Sequence, residues 1–129
     1  SQSIVHDLTP SVDGAFADML EIIKSGEPLA SSYFADNDLI AVGAVKALKQ
    51  HGLRIPEDVA IVGFDNQPIS SVIEPNLTTV HVPKKYMGET AAARLISLIH
   101  DPSQPPVKTE ISTSLVKRNS VPRAKHGGI

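Results

Sequence analysis

The chain has 129 residues, 41% hydrophobic and 20% charged, a size and usage that fit one folded domain and exclude a disordered or fibrous class. Its 12 Lys and Arg against 14 Asp and Glu leave a net charge of -2, too small to draw the whole chain to phosphate backbones or anionic lipid. The absence of cysteine excludes disulfides, Cys-ligated zinc, iron-sulfur clusters and thiol nucleophiles.

Ser3 to Leu8 is partly apolar and is expected to form a short strand, with Thr9-Pro10-Ser11 as a turn and Ser11 or Asp13 as a helix cap. Phe16, Met19, Leu20 and Ile23 then follow the spacing of an amphipathic helix, and Gly26 sits where a left-handed residue would end it. Leu29 to Ala35 predicts a second strand, followed by Asp36-Asn37-Asp38 and a helical run to His51, ended by Gly52. That helix is apolar around every side from Leu39 to Val45, so more than one of its faces must be covered. The small Gly43, Ala44 and Ala47 permit close approach, by a partner subunit or by the chain's own core.

After the Arg54–Asp58 turn, Val59 to Phe64 is a continuous apolar run of the kind found in strands buried on both faces. Asp65-Asn66-Gln67-Pro68 breaks it, a short helical turn is expected over Ile69–Ile73, and Leu77–Val82 predicts another strand. Pro83 suits the first position of a third helix, whose Met87, Ala91, Leu95, Leu98 and Ile99 form one stripe. Pro102 to Pro106 ends that helix, and the alternation from Val107 to Leu115 predicts a half-exposed strand before a frayed tail from Arg123 to Ile129.

Alternating strands and helices predict an α/β fold, a parallel sheet with helices on either side. Ligands of open sheets bind beyond the carboxyl ends of the strands. Three predicted strands end at His6-Asp7-Leu8, Asp36-Asn37-Asp38 and Asp65-Asn66, so carboxylates and amides converge on one edge, suiting a polyhydroxyl or amine-bearing small molecule. Structural roles compete: Asp38 is best placed to cap the following helix, Asp65-Asn66 can form an Asx-turn, and Asp7 can solvate a loop.

An enzyme reading would have Asp36, Asp38 or Asp65 grip magnesium for phosphoryl transfer. Against it, the sequence has no glycine-rich phosphate loop, no nucleophile elbow and no Ser-His-Asp set, and His81 before a proline suits packing better than general base chemistry. The five histidines never fall at i,i+3 or i,i+4, so neither a metal nor a cofactor is expected. No apolar run is long enough to span a membrane and Ser1–Pro10 lacks the pattern of an export signal; a cytoplasmic setting is expected.

Charge is unevenly placed. Ser1–Pro83 carries 4 bases and 11 acids, a net -7, whereas Lys84–Ile129 carries 8 bases and 3 acids, a net +5. The sign changes at Lys84.

The runs Phe34-Ala35-Asp36-Asn37-Asp38-Leu39-Ile40-Ala41-Val42-Gly43-Ala44 and Gly52 to Asn66, then Leu77-Thr78-Thr79-Val80, Gly88-Glu89-Thr90-Ala91 and Leu115 to Val121, resemble the LacI/GalR family of bacterial transcriptional regulators across nearly the whole chain. The resemblance implies a sensor of the periplasmic-binding-protein type, with two subdomains, an effector in the cleft between them, and a helix-turn-helix domain ahead of the sensor. It implies that residues 1–83 belong to the C-terminal subdomain, that 84–106 supply a crossover helix belonging to the N-terminal subdomain, and that 107–129 supply a returning strand and tail. It further implies effector contacts at Asp65, Asn37 and Leu8, the last where many members place an aromatic ring, with Val82 near a further contact on the crossover. A homodimer through Leu39–Leu48 and Pro68–Glu74 and operator binding only through the preceding domain are also implied. The effector would be a sugar or nucleoside, with purines also admissible. The competing class is a periplasmic sugar-binding protein of an ABC transporter, which shares the fold.

Overall fold

The computed structural model describes residues 3–123, so the tail expected beyond Arg123 lies outside the described residues. Helix α1 spans Val12–Ser25, strand β1 Ser32–Phe34, helix α2 Asp38–Gln50 and strand β2 Ala60–Asp65. A 3-10 turn at Pro68–Ser71 leads to β3, Thr78–His81, then to helix α3, Lys84–His100, and β4, Ser114–Val116.

Helix α1 begins where the Ser11 hydroxyl accepts the Gly14 N–H, and ends at Gly26, whose φ of 78° is the left-handed conformation anticipated there. Met19 and Ile23 turn inward from it. Helix α2 packs on β2, and α1 packs on α2, so the two helices stack on the same side of the sheet. Ala41, Val42, Val45, Ala47 and Leu48 join Ile61 and Leu77 in the core.

The all-round apolar character of α2 therefore has an internal cause. A Cβ at Gly43 would stand 2.5 Å from the Val12 carbonyl oxygen and 2.8 Å from the Phe16 nitrogen, so the close neighbour is α1 of the same chain, not a partner subunit. Between Ala41 and Leu48 only Lys46 is exposed, which corrects the expectation that Leu39–Leu48 as a whole offers a dimer surface.

The sheet runs β1-β2-β3-β4, with β1, β2 and β3 parallel and β4 antiparallel to β3. The expected α/β sheet thus has a parallel core of three strands, extended by one antiparallel strand. In β4, Ser114, Leu115 and Val116 pair with His81, Val80 and Thr79. The alternation from Val107 had suggested a longer strand, but pairing is confined to these three residues, and Leu115 stays 64% exposed. Period-2 patterning marks what a segment could do; a strand forms only where a neighbour supplies the ladder.

The same reason corrects Ser3–Leu8, which joins no strand. It lies beside edge strand β1, where His6 Nε2 meets the Tyr33 hydroxyl at 3.2 Å. Strand β2 also differs from expectation: Ile61 and Gly63 are buried, while Ala60, Val62 and Phe64 on the other face are half-buried. Among the described residues α3 contributes nothing to the core, since none of its residues is buried, and it starts directly after Pro83, which serves as its N-cap. Tyr86, Leu95, Ile96 and Ile99 on α3 are 55–68% exposed.

At the amino ends of β2 and β3, Ser120 fastens the returning chain. Its hydroxyl donates to the Ile61 carbonyl at 2.6 Å and accepts the Thr78 N–H at 2.8 Å, and its own carbonyl accepts the Ile61 N–H. Ser120 is fully buried and each of these polar groups is satisfied, so the segment holds β2 and β3 at their amino ends.

Candidate functional site

The carboxyl ends of β1 and β2 deliver Asp36-Asn37-Asp38 and Asp65-Asn66 to one edge of the sheet. At the end of β2 the backbone turns sharply: Asp65 has φ 106° and Asn66 φ 51°, both on the positive side that non-glycine residues rarely occupy. Such strain persists where surrounding bonds over-determine it. Here the Asn66 N–H donates to Thr79 Oγ1, and Asn66 Oδ1 accepts from the Arg118 guanidinium at 2.8 Å and from the Ser70 hydroxyl at 3.3 Å. Asn66 Nδ2 lies 3.2 Å from His81 Nδ1, across the β2–β3 pair. The Asx-turn reading thus gives way to longer-range fastening by β3 and the chain after β4.

Asp65 is presented by this turn. Its Oδ1 stands 2.6 Å from Lys84 Nζ and its Oδ2 accepts from Gln67 Nε2 at 3.0 Å. Hydrogen bonding from Lys84 holds its carboxyl below the usual range; partial burial opposes this and Gln67 adds to it. The side chain is 24% exposed, so it is anchored yet reachable.

The cap of α2 is Asn37 and not Asp38, the Asn37 Oδ1 accepting the Ile40 N–H at 2.9 Å. Asp38 is the first helical residue, wholly buried, with Oδ1 accepting from Thr79 Oγ1 at 2.6 Å and Oδ2 from the Gln67 N–H at 2.7 Å. The expectation that Asp38 caps the helix is therefore corrected: one residue of shift in the boundary turns its carboxylate inward to tie α2, β3 and the loop after β2. Gly63 makes room for it, since a Cβ there would lie 2.3 Å from Asp38 Oδ1.

Leu8 lies elsewhere. It lines a cavity of about 280 Å³ between the opening segment and β1, with His6, Asp7, Tyr33 and Asp36 around it and Met19, Ile40 and Ile61 beneath. Asp65 and Asn37 do not line that cavity. The structure thus places Asp65 and Asn37 on one sheet edge and Leu8 in an adjoining hollow. Val82 is half-buried between β3 and α3.

Of the carboxylates invoked for magnesium, Asp38 is engaged by the Thr79 hydroxyl and the Gln67 N–H, and Asp65 by Lys84 and the Gln67 side chain. Among the described residues no three His, Asp or Glu side chains gather as metal ligands, and no helix is long and apolar enough to cross a membrane. Sequence reasoning missed Lys84, Thr79 and Arg118. The change of charge sign at Lys84 was the one available signal; the others act through contacts more than ten residues away.

A three-strand parallel core with polar side chains gathered beyond its carboxyl ends defines an α/β ligand-binding lobe. Residues 2–121 match the model of the periplasmic binding protein-like domain. The chain belongs to that family, and its relatives place it with the sensor domains of LacI/GalR regulators. It is 37% identical over 111 residues to the HTH-type transcriptional repressor PurR of Aliivibrio fischeri strain MJ11, a match covering 86% of this chain and 32% of the repressor. Among solved structures it is similar to a LacI family transcriptional regulator from Enterococcus faecium with bound ribose, at 30% identity and a TM-score of 0.78 over 92% of this chain and 43% of that one. It is likewise similar to the lac repressor dimer bound to operator and the anti-inducer ONPF, at 30% identity and a TM-score of 0.77 over 86% of this chain and 38% of that one. The chain thus spans about a third of the curated repressor it matches.

Proposed function

We propose that this chain is the effector-binding part of a LacI-type transcriptional regulator, taking a sugar or nucleoside at the carboxyl edge of its sheet and passing the signal to operator binding by a helix-turn-helix domain outside these residues. The observation that carries this is Asp65: a partly exposed carboxylate held out by a positive-φ turn at the exit of the central strand. An ionised carboxylate accepts hydroxyl hydrogen bonds, and strained backbone at such an edge marks functional positions. Asn37 adds a donor: its Oδ1 is committed to the cap, which leaves the N–H groups of its side-chain amide to offer to a ligand. Leu8 contributes an apolar wall from the adjoining hollow.

In this reading residues 1–83 form the C-terminal subdomain, residues 84–106 cross into the N-terminal subdomain and residues 107–129 return. The uncovered stripe of α3, with Leu95, Ile96 and Ile99 exposed, is then the face that the other subdomain covers. Effector binding favours one closure of the two subdomains, and differential affinity for the closures shifts their populations. A homodimer sets the spacing of paired DNA-binding domains. Its surface here is the exposed part of Pro68–Glu74, with Val72 78% exposed, together with Lys46 beside Phe16 and Ile73. No cofactor or catalysis is required, and the setting is cytoplasmic.

The test is calorimetric titration of the full-length protein with sugars and nucleosides, beside an Asp65→Ala variant of equal melting temperature. Loss of effector affinity in the variant is expected; unchanged affinity would overturn the assignment.

A further inference from the structure

Lys84 is half exposed and is the first residue of α3, a helix that buries none of its own side chains. Its contact with Asp65 therefore bridges the sheet edge and the segment beyond the crossover. Lys84 Nζ uses one of its three N–H groups on Asp65 Oδ1, and Asp65 Oδ2 takes one hydrogen bond from Gln67. A carboxylate has about four acceptor positions and an ammonium three donors, so both partners, each partly exposed, keep unused hydrogen-bonding capacity.

We infer that Lys84 is a specificity-determining residue of the effector site, so that the Asp65–Lys84 pair accepts neutral hydroxyl-bearing ligands and refuses cationic ones. The inference rests on the effector-site reading above and assigns it a ligand class. A hydroxyl both donates and accepts, so one hydroxyl, or two vicinal ones, can donate to Asp65 and accept from Lys84 at once. A ligand ammonium only donates: it can satisfy Asp65, but it meets Lys84 as a like charge with nothing to accept. Were Asp65 unpaired, the site would favour cations; Lys84 makes the pair neutral.

The full-length protein is titrated with D-ribose, D-glucose, D-galactose and inosine, and with D-glucosamine and D-galactosamine as the cationic counterparts. Wild type is expected to bind at least one neutral compound and neither amino sugar. Lys84→Met should weaken the neutral ligand about tenfold or more, the loss of one charged hydrogen bond, and gain measurable amino-sugar binding. Lys84→Arg should retain the wild-type preference. Melting curves verify folding of each variant. Neutral binding with an unchanged preference in Lys84→Met overturns the inference alone. An Asp65→Asn variant that keeps full affinity, or wild type that binds no neutral compound, overturns the site reading and the inference with it.

Discussion

The Thr79 hydroxyl donates to Asp38 Oδ1 at 2.6 Å with both side chains fully buried, joining the third strand to the first turn of α2. Asp38 also accepts the Gln67 N–H, so one carboxylate sets the distance between the helix, the strand and the loop that carries Asp65. Removing it leaves the buried Thr79 hydroxyl and the partly buried Gln67 N–H without their acceptor. Asp38→Ala is expected to destabilise the chain by about 3–5 kcal/mol and Thr79→Val by about 1–3 kcal/mol, read from urea unfolding midpoints. A double variant should fall well short of the sum, because each change breaks the same bond.

Two glycines on helices predict opposite signs. Gly43→Ala drives a methyl to within 2.5 Å of the Val12 carbonyl, backbone that cannot swing aside, and is expected to destabilise by about 1–3 kcal/mol. Gly88→Ala in α3 meets nothing within 4 Å and should stabilise by up to about 1 kcal/mol through helix propensity. Paired thermal melts check the contrast.

Asn37 separates capping from ligand contact. Asn37→Ala removes the acceptor for the Ile40 N–H and should reduce stability by about 1 kcal/mol, whereas Asn37→Asp keeps that acceptor and the stability. If the amide touches the effector, Asn37→Asp weakens binding without lowering the melting temperature. Affinity equal to wild type would confine Asn37 to the cap.

Acid stability follows from depressed carboxyl groups. Two hydrogen bonds from the Arg54 side chain, joined by the Arg54 N–H, lower Asp58 from 3.8 to about 2. A group with a lowered folded value binds fewer protons than in the unfolded chain, so its stabilisation is present above about pH 4 and is lost as the pH falls towards 2. In Arg54→Gln the Asp58 resonance should titrate closer to 3.8 and the loss of stability below pH 4 should be shallower. Asp65 carries the same sign through Lys84.

Local pattern made much of this legible. The apolar spacing and the flanking Ser11 and Gly26 mark α1, the polar triplet and Gly52 bound α2, and the uninterrupted apolar run marks β2. Asp65 stood out because a carboxylate follows that run directly. The cap of α2 was harder: Asn37 and Asp38 are both good caps, and only the partners offered by Thr79 and the Gln67 N–H draw Asp38 inward.

The sequence by itself determined the helices, the central strand, the edge on which polar groups gather and the family to which the chain belongs. These rest on periodicity and on residue order, which are local. Tertiary structure alone decided that Ser3–Leu8 joins no ladder, that β4 runs antiparallel over three residues, that α1 fills the approach at Gly43, and that Lys84 faces Asp65. Each depends on which distant group comes within about 3 Å, and hydrogen bonds and packing at that range are set by the folded chain as a whole.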